Sequence, residues 1–148
     1  MFDFYALPND FPGYDKLIPG MNPYTKVKLL EEEFKQDIGH HNFIPYIQLH
    51  EFEALLFVDP VQLEYCYFKY SSKTTELLAT LEKFQGNPEL INDGENTAPS
   101  KRLISFYPDY EHDKIFAGNL ILEAIGIPKL RNACNRFDEW LTKLENLR

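Results

Sequence analysis

Residues 46–57 constrain the fold more than any other stretch, because they join an apolar strand directly to an apolar helix. Residues 43–49 are nearly all apolar, which is typical of a strand covered by helices on both faces. A helix is predicted to follow at once, from Glu51 to Phe57. In open α/β sheets, sites form at the carboxyl ends of the strands. The junction, which carries His50, Glu51 and Glu53, is therefore the first candidate site.

The rest of the chain is predicted to hold one further strand and several helices. Residues 1–7 are short, aromatic and apolar apart from Asp3, which indicates a strand. Apolar residues at helical spacing and flanking caps predict helices over 23–38, 59–68, 75–84, 100–107, 114–125 and from 135 onward. In the helix over 114–125, five apolar residues are expected to face inward: Ile115, Phe116, Leu120, Ile121 and Ala124.

Two strands make a poor sheet alone. We therefore expect them to pair with strands of another chain, as in a homo-oligomer, or to have lost the strands beside which they evolved. The fold class predicted on these grounds is α/β, with a parallel sheet flanked by helices and a helix-rich C-terminal half. A length of 148 residues suits a single domain spanning residues 1–148.

Charge narrows the classes of function. A net charge of −8 weakens any assignment as a general nucleic-acid coat, because such binding depends on lysine and arginine neutralising phosphates. A metal-dependent nuclease remains compatible with this charge, since its metal ions need carboxylates.

The N-terminus and the cysteines do not indicate a secreted, a membrane-spanning or a thiolate-metal protein. The N-terminus lacks the basic and apolar regions of a signal peptide, and no stretch approaches the roughly 20 apolar residues that span a bilayer. We expect a cytoplasmic protein that does not bind membranes. Cys66 and Cys134 have no metal-ligand spacing, and core thiols in a reducing compartment are the simplest interpretation.

Each candidate site residue also has a plain structural interpretation. Glu51 and Glu53 could be helix N-terminal acids favoured by the helix dipole, with His50 as a cap. Asp3 could be an exposed strand residue rather than a cation ligand.

A further group of candidate residues follows the polar loop at 92–97, where a helix N-terminus and two cations would suit phosphate: Ser100, Lys101 and Arg102. No Walker, nucleophile-elbow or zinc-protease motif is present.

Several stretches together resemble a bacterial family, domain of unknown function 4276. They are MFDFYALPNDFPG at 1–13, FIPYIQLHEFEALLF at 43–57, NPELINDGENTAPSKR at 87–102, the segment around Asp113 and Lys114, and FDEWL at 137–141. The resemblance covers nearly the whole chain. It implies a TOPRIM-like, Rossmann-like fold with an acidic site for a divalent metal, Mg²⁺ or Mn²⁺. No nucleotide or organic cofactor is implied.

The activity that the resemblance implies is metal-dependent cleavage of nucleic acid, in a protein encoded beside an ATPase of the AAA or ABC type in a phage-defence locus. The implied metal ligands are Asp3, Glu51 and Glu53. Glu51 and Glu53 would also be catalytic, together with His50. The phosphate-binding residues would be Ser100, Lys101, Arg102 and Lys114.

This chain departs from the family pattern at its N-terminus. Relatives carry a V-E-G-x-T-E segment whose glutamate is the first acid, and Met1-Phe2-Asp3 matches an internal strand carrying the second acid. The chain is thus expected to be N-terminally truncated relative to the family. Two alternatives follow: a non-catalytic adaptor for the ATPase, or a truncated and inactive remnant.

Overall fold

The computed structural model describes residues 2–49, 51–91 and 97–147. His50 and residues 92–96 of the predicted polar loop lie outside the described residues. The chain divides into two compact units, the first formed by residues 1–49 and 139–148 and the second by residues 50–138. In the part of the chain that is described, no helix is both long and apolar enough to cross a membrane.

The first unit holds a small parallel sheet and one long helix. Strand β1 (Phe2–Asp3) pairs with strand β2 (Ile47–Gln48), with Phe2 opposite Ile47 and Asp3 opposite Gln48. Helix α1 (Pro23–Ile38) begins where the side chain of Asn22 accepts a hydrogen bond from the amide of Tyr24, at 2.9 Å. It ends at Gly39, whose φ of 65° is the left-handed conformation that glycine adopts without strain.

One face of the sheet packs on α1. The aliphatic core of the first unit consists of Leu7, Val27, Leu30, Ile47 and Leu49. The ring of Phe34 adds aromatic contacts to Phe2, Phe11 and Phe43. The carboxylate of Glu31 also accepts a hydrogen bond from the amide of Ile47, at 2.8 Å. Helix α1 therefore supplies both an apolar face and a partner for the backbone of β2.

The buried side chain of Gln48 in β2 is hydrogen-bonded to an aromatic residue. The hydroxyl of Tyr46 donates a hydrogen bond to Oε1 of Gln48, at 2.7 Å, and the ring of Tyr46 stacks on Trp140. Gln48 is only 1% exposed, and among the described residues its Nε2 has no hydrogen-bond partner. One polar residue is therefore built into the aromatic packing of this unit.

The regular elements among the described residues of the second unit are all helices, and they are built around the 3-10 helix Phe52–Val58. Four consecutive residues of that helix are buried: Ala54, Leu55, Leu56 and Phe57. The elements that follow it are the 3-10 helix Pro60–Gln62, α2 (Leu63–Cys66), the 3-10 helix Phe68–Lys73, α3 (Thr74–Lys83), the 3-10 helix Pro88–Leu90, α4 (Pro99–Phe106), α5 (Tyr110–Ile125), α6 (Ile127–Ala133) and α7 (Asn135–Glu145). The last helix continues into the residues assigned to the first unit.

Several predicted elements differ from the structure. The strands at 1–7 and 43–49 are reduced to two residues each, and the helix predicted over 51–57 is of the 3-10 type. Helix α5 begins at Tyr110 instead of at Lys114, and α6 (Ile127–Ala133) follows directly after the predicted end of that helix, where no helix was predicted. Pro128 is tolerated because it lies in the first turn of α6, where no intrahelical amide bond is lost. The structure is thus helix-rich with a small two-stranded parallel sheet.

Candidate functional site

Glu51 is fixed at the N-terminus of α4. Its Oε2 accepts a hydrogen bond from the amide of Ser100 at 2.7 Å, and its Oε1 accepts one from the Ser100 hydroxyl at 2.9 Å. The first amides of a helix have no partner inside the helix and favour negative charge. Since Ala98, the residue before α4, provides no side-chain cap, the carboxylate of Glu51 takes that role from 49 residues away in the sequence.

Glu53 lies two residues further on and is half-buried. Burial raises the pKa of its carboxyl above the ordinary value, and the negative charge of Glu51 raises it further. A hydrogen bond to its own backbone, the charge of Lys114 and the hydroxyl of Tyr110 act in the opposite direction without cancelling the rise. The two carboxyl groups are therefore close enough to repel each other.

The first turn of α5 brings Tyr110 and Lys114 to Glu53. These two residues are four apart in a helix, so they project from the same face. Tyr110 is only 1% exposed, and the charge of Glu53 contributes, after burial, to raising the pKa of its phenol. Within the described part of the chain, the hydroxyl of Tyr110 makes no hydrogen bond of regular geometry. It therefore lies close enough to Glu53 to influence its pKa without forming a regular hydrogen bond.

Gly118 lets the ring of Phe52 pack closely against α5. A Cβ atom at this position would lie 3.6 Å from the Tyr110 hydroxyl and 3.2 Å from Cε1 of Phe52. The second distance is tighter than ordinary van der Waals contact, so Phe52 would have to move. The absence of a side chain at Gly118 therefore admits the Phe52 ring against the helix.

The structure brings together four of the residues predicted to form the site. Glu51, Glu53, Ser100 and Lys114 belong to the second unit and interact through the contacts above. Asp3 lies in the first unit, on β1. The prediction that it joins Glu51 and Glu53 as a metal ligand stays a prediction, as does the catalytic role predicted for His50, which is outside the described residues.

The residues predicted to bind phosphate are not equally available. Lys101 is exposed. Arg102 donates from Nε to the carbonyl of Thr97 at 2.7 Å, and its guanidinium lies 5.8 Å from the centre of the Phe84 ring. Both donors of Ser100 bind Glu51. A phosphate role for Ser100 would require Glu51 to release at least one of them, so Lys101 and Lys114 are the better-placed cations.

The side chains at this site suit a hard divalent cation in type and in number. Carboxylate oxygens are the ligands that Mg²⁺ prefers, and it is usually held by one or two carboxylates with substrate phosphates completing its shell. Glu51 and Glu53 supply two carboxylates, and their repulsion is a cost that a cation would offset. Among residues 2–49, 51–91 and 97–147, no group of three or more potential ligands is preassembled.

Sequence reasoning missed Tyr110 and Gly118. The signal was available in the spacing of Tyr110 and Lys114, which is one helical turn. It was overlooked because the predicted helix began at Lys114. The role of Gly118 depends on Phe52, a residue of a distant element, and no local pattern indicates it.

Comparison with known proteins identifies one family. Residues 1–145 match the family described as Domain of unknown function (DUF4276). Neither the search of curated proteins nor the search of solved structures returned a match.

Proposed function

The chain belongs to the family described as Domain of unknown function (DUF4276), and from this premise we propose that it is a TOPRIM-like phosphodiester hydrolase that cleaves nucleic acid with a divalent metal ion. The observation that carries the proposal is the pair Glu51 and Glu53: Ser100 holds the Glu51 carboxylate at the N-terminus of α4, and burial, followed by the charge of Glu51, raises the pKa of the half-buried Glu53. Like-charged groups kept together at a cost are a recurrent property of functional sites.

The residues of this chain have distinct roles in the proposal. Glu51 and Glu53 hold the metal ion, Mg²⁺ or Mn²⁺. Ser100 keeps Glu51 in place. Lys114, which already acts on Glu53 through its charge, contacts a phosphate together with Lys101. His50 is proposed as a further catalytic residue.

A divalent cation bound here supplies two kinds of chemistry: a water molecule of lowered pKa, and compensation for the charge that develops on a scissile phosphate. Lys114 adds positive charge on the same side of α5 as Tyr110. The phenol of Tyr110 can donate a hydrogen bond to Glu53 or to a phosphate oxygen, because it remains protonated over the whole physiological range.

The proposal is tested by comparing the wild-type chain with Glu53→Gln, an isosteric change that removes the charge. Glu82→Gln is the matched control, because Glu82 is an exposed glutamate on α3. Supercoiled DNA and single-stranded RNA are incubated with Mg²⁺, with Mn²⁺ and with EDTA. We expect metal-dependent cleavage by the wild type and by Glu82→Gln, and a loss of at least roughly a hundredfold in Glu53→Gln.

Metal binding gives a second readout that does not depend on turnover. Titration with Mn²⁺, followed by the electron paramagnetic resonance of the free ion, should reveal a site that Glu53→Gln weakens and Glu82→Gln preserves. Equal cleavage by wild type and Glu53→Gln would remove Glu53 from the mechanism. A wild-type chain that neither binds Mn²⁺ nor cuts would contradict the proposal for this chain.

A second candidate function is that of a non-catalytic adaptor for an AAA- or ABC-type ATPase. The observation that favours it is the set of large apolar side chains exposed on the second unit, among them Ile115 and Phe116. A stoichiometric complex with the ATPase that forms in EDTA would support this function. The absence of any complex at micromolar concentrations would count against it.

A further inference from the structure

Helix α5 is apolar on both of its sides. Its inward residues pack within the second unit, and four of them are apolar: Ala117, Gly118, Ile121 and Ile125. Its outward side carries Ile115, which is 84% exposed, and Phe116, which is 74% exposed. A surface helix of a globular domain normally places polar residues there, so the outward side of α5 is an unusual surface.

The apolar surface extends from α5 to α2. Leu120 belongs to the groove along the outward side of α5 and also lines a second hollow with Tyr65 and Ala124. Tyr65 is 81% exposed. We call Tyr65, Ile115, Phe116 and Leu120 the α5 apolar face. Contiguous apolar patches on a soluble chain mark interaction sites more often than chance exposure does.

Carboxylates line the groove on α5 together with the apolar side chains. Its lining includes Glu111, Asp113 and Glu123, and among the described residues that line it Lys114 is the one lysine or arginine. An apolar stripe with an acidic border is complementary to an amphipathic helix that carries lysine or arginine beside its apolar residues. Nucleic acid is disfavoured, because phosphates would meet three carboxylates.

A second copy of the chain is a less favourable occupant. In a twofold dimer the same patch meets itself, so each copy would bring its own Glu111, Asp113 and Glu123 to the contact. The repulsion of these six carboxylates would oppose the burial of the apolar residues. A partner of the opposite charge gains from both contributions.

We propose that the α5 apolar face binds a cationic amphipathic helix of another protein, with Phe116 and Ile115 as apolar anchors and Glu111, Asp113 and Glu123 as the charged border. Aromatic anchors near the centre of a contact usually carry most of its energy. The border carboxylates set the orientation and the rate of encounter more than the affinity. This inference rests on the second candidate function, which uses the same exposed Ile115 and Phe116, and it names the class of partner without depending on cleavage or on a metal ion. Binding of the lysine peptide without an ATPase complex would contradict that function and leave this inference standing.

The experiment uses two fluorescein-labelled peptides of about 18 residues, long enough to cover the exposed length of α5. One carries leucine at helical spacing with lysine elsewhere, and the other has glutamate in place of every lysine. Fluorescence anisotropy is measured with the full chain and with two variants, Ile115→Ser/Phe116→Ser and Ile18→Ser. The second variant is a matched control, because Ile18 is an exposed apolar residue of the first unit.

We expect the lysine peptide to bind the wild type and Ile18→Ser alike. Affinity should fall at least roughly tenfold in Ile115→Ser/Phe116→Ser, since two anchors are lost. High NaCl should weaken the remaining electrostatic contribution, and Glu111→Gln/Asp113→Asn/Glu123→Gln should remove most of that salt dependence. The glutamate peptide should not bind.

Three results would overturn the proposal. The first is equal binding of the lysine peptide to the wild type and to Ile115→Ser/Phe116→Ser. The second is that both peptides bind equally well or that neither peptide binds. The third is a dimer in sedimentation velocity that Ile115→Ser/Phe116→Ser abolishes, because a second copy would then be the occupant. Circular dichroism of each variant confirms that its helices are intact.

Discussion

The carboxylate of Glu51 and the first turn of α4 form a closed pair of hydrogen bonds: the amide and the hydroxyl of Ser100 each donate to a different oxygen of Glu51, at 2.7 and 2.9 Å. This contact joins the start of the 3-10 helix Phe52–Val58 to the start of α4. It also fixes the orientation of the Glu51 carboxylate, which is one of the charged groups of the candidate site. Its contribution to stability can be measured apart from any activity.

Ser100→Ala should lower the free energy of unfolding by about 1–2 kcal/mol, because a hydrogen bond to a charged group is lost at a position that is 4% exposed. Urea unfolding at neutral pH measures this difference. Ser105→Ala is the control, since Ser105 is exposed and its hydroxyl donates within α4 to the carbonyl of Arg102. Equal losses in the two variants would show that the Glu51 contact contributes nothing specific.

Glu53→Gln should stabilise the protein at neutral pH. Burial, and then the charge of Glu51, raise the pKa of Glu53 in the folded state above its ordinary value. Between pH 4.5 and the raised folded pKa, the folded state binds a proton that the unfolded state does not, so the free energy of unfolding falls as pH rises through this window. The ionised Glu53 therefore weakens the fold at pH 7.

Urea unfolding of wild type and Glu53→Gln at several pH values measures the effect. The advantage of Glu53→Gln should be full at pH 7, shrink as pH falls toward 4.5, and leave only a constant difference below it. Glu82→Gln should give no such pH-dependent difference, because Glu82 is exposed. If the stability of Glu53→Gln relative to the wild type were lower at pH 7 than at pH 4, this would contradict a raised pKa of Glu53.

Local signals predicted α1 completely. Pro23 and Gly39 are start and stop signals whose physical effect is confined to a few neighbouring residues, and the helix spans Pro23–Ile38 as expected. The inward face of α5 was predicted wrongly. Ile115, Phe116, Leu120 and Ala124 are exposed, and Ile121 alone of the five predicted residues is buried. Periodicity cannot choose the inward side when a helix carries apolar residues on two sides.

The sequence pointed to individual residues of the candidate site but not to the contacts between them. Glu51 and Ser100 were each chosen for their chemistry, one as a metal ligand and the other as a phosphate ligand, and nothing in the sequence indicates that they bind each other. Such a pairing depends on packing between elements that are 49 residues apart. The lengths of the strands also depend on pairing between distant residues. In the described part of the chain, β1 and β2 pair only with each other.

Glu89→Ala should destabilise the protein by about 2 kcal/mol. Glu89 is 2% exposed, and its carboxylate accepts hydrogen bonds from the amide of Phe137 at 3.3 Å and from that of Arg136 at 3.4 Å. Its removal leaves the N-terminus of α7 without this buried anion. Urea unfolding compares this variant with Glu82→Ala, a substitution at an exposed position of α3. A loss no larger than that of Glu82→Ala would mean that the amides of α7 find other partners.

Gly118→Ala should destabilise the protein by about 1 kcal/mol, although alanine favours a helix by about the same amount over glycine. The reason is steric: the added Cβ would lie 3.2 Å from Cε1 of Phe52, and overpacking a well-filled interior costs about 1–3 kcal/mol. Phe52→Leu, which shortens the opposing side chain, should cost less in the Gly118→Ala background than in the wild type. A double-mutant cycle by urea unfolding measures this coupling. Additive effects of the two substitutions would show that Gly118 is not required by the packing of Phe52.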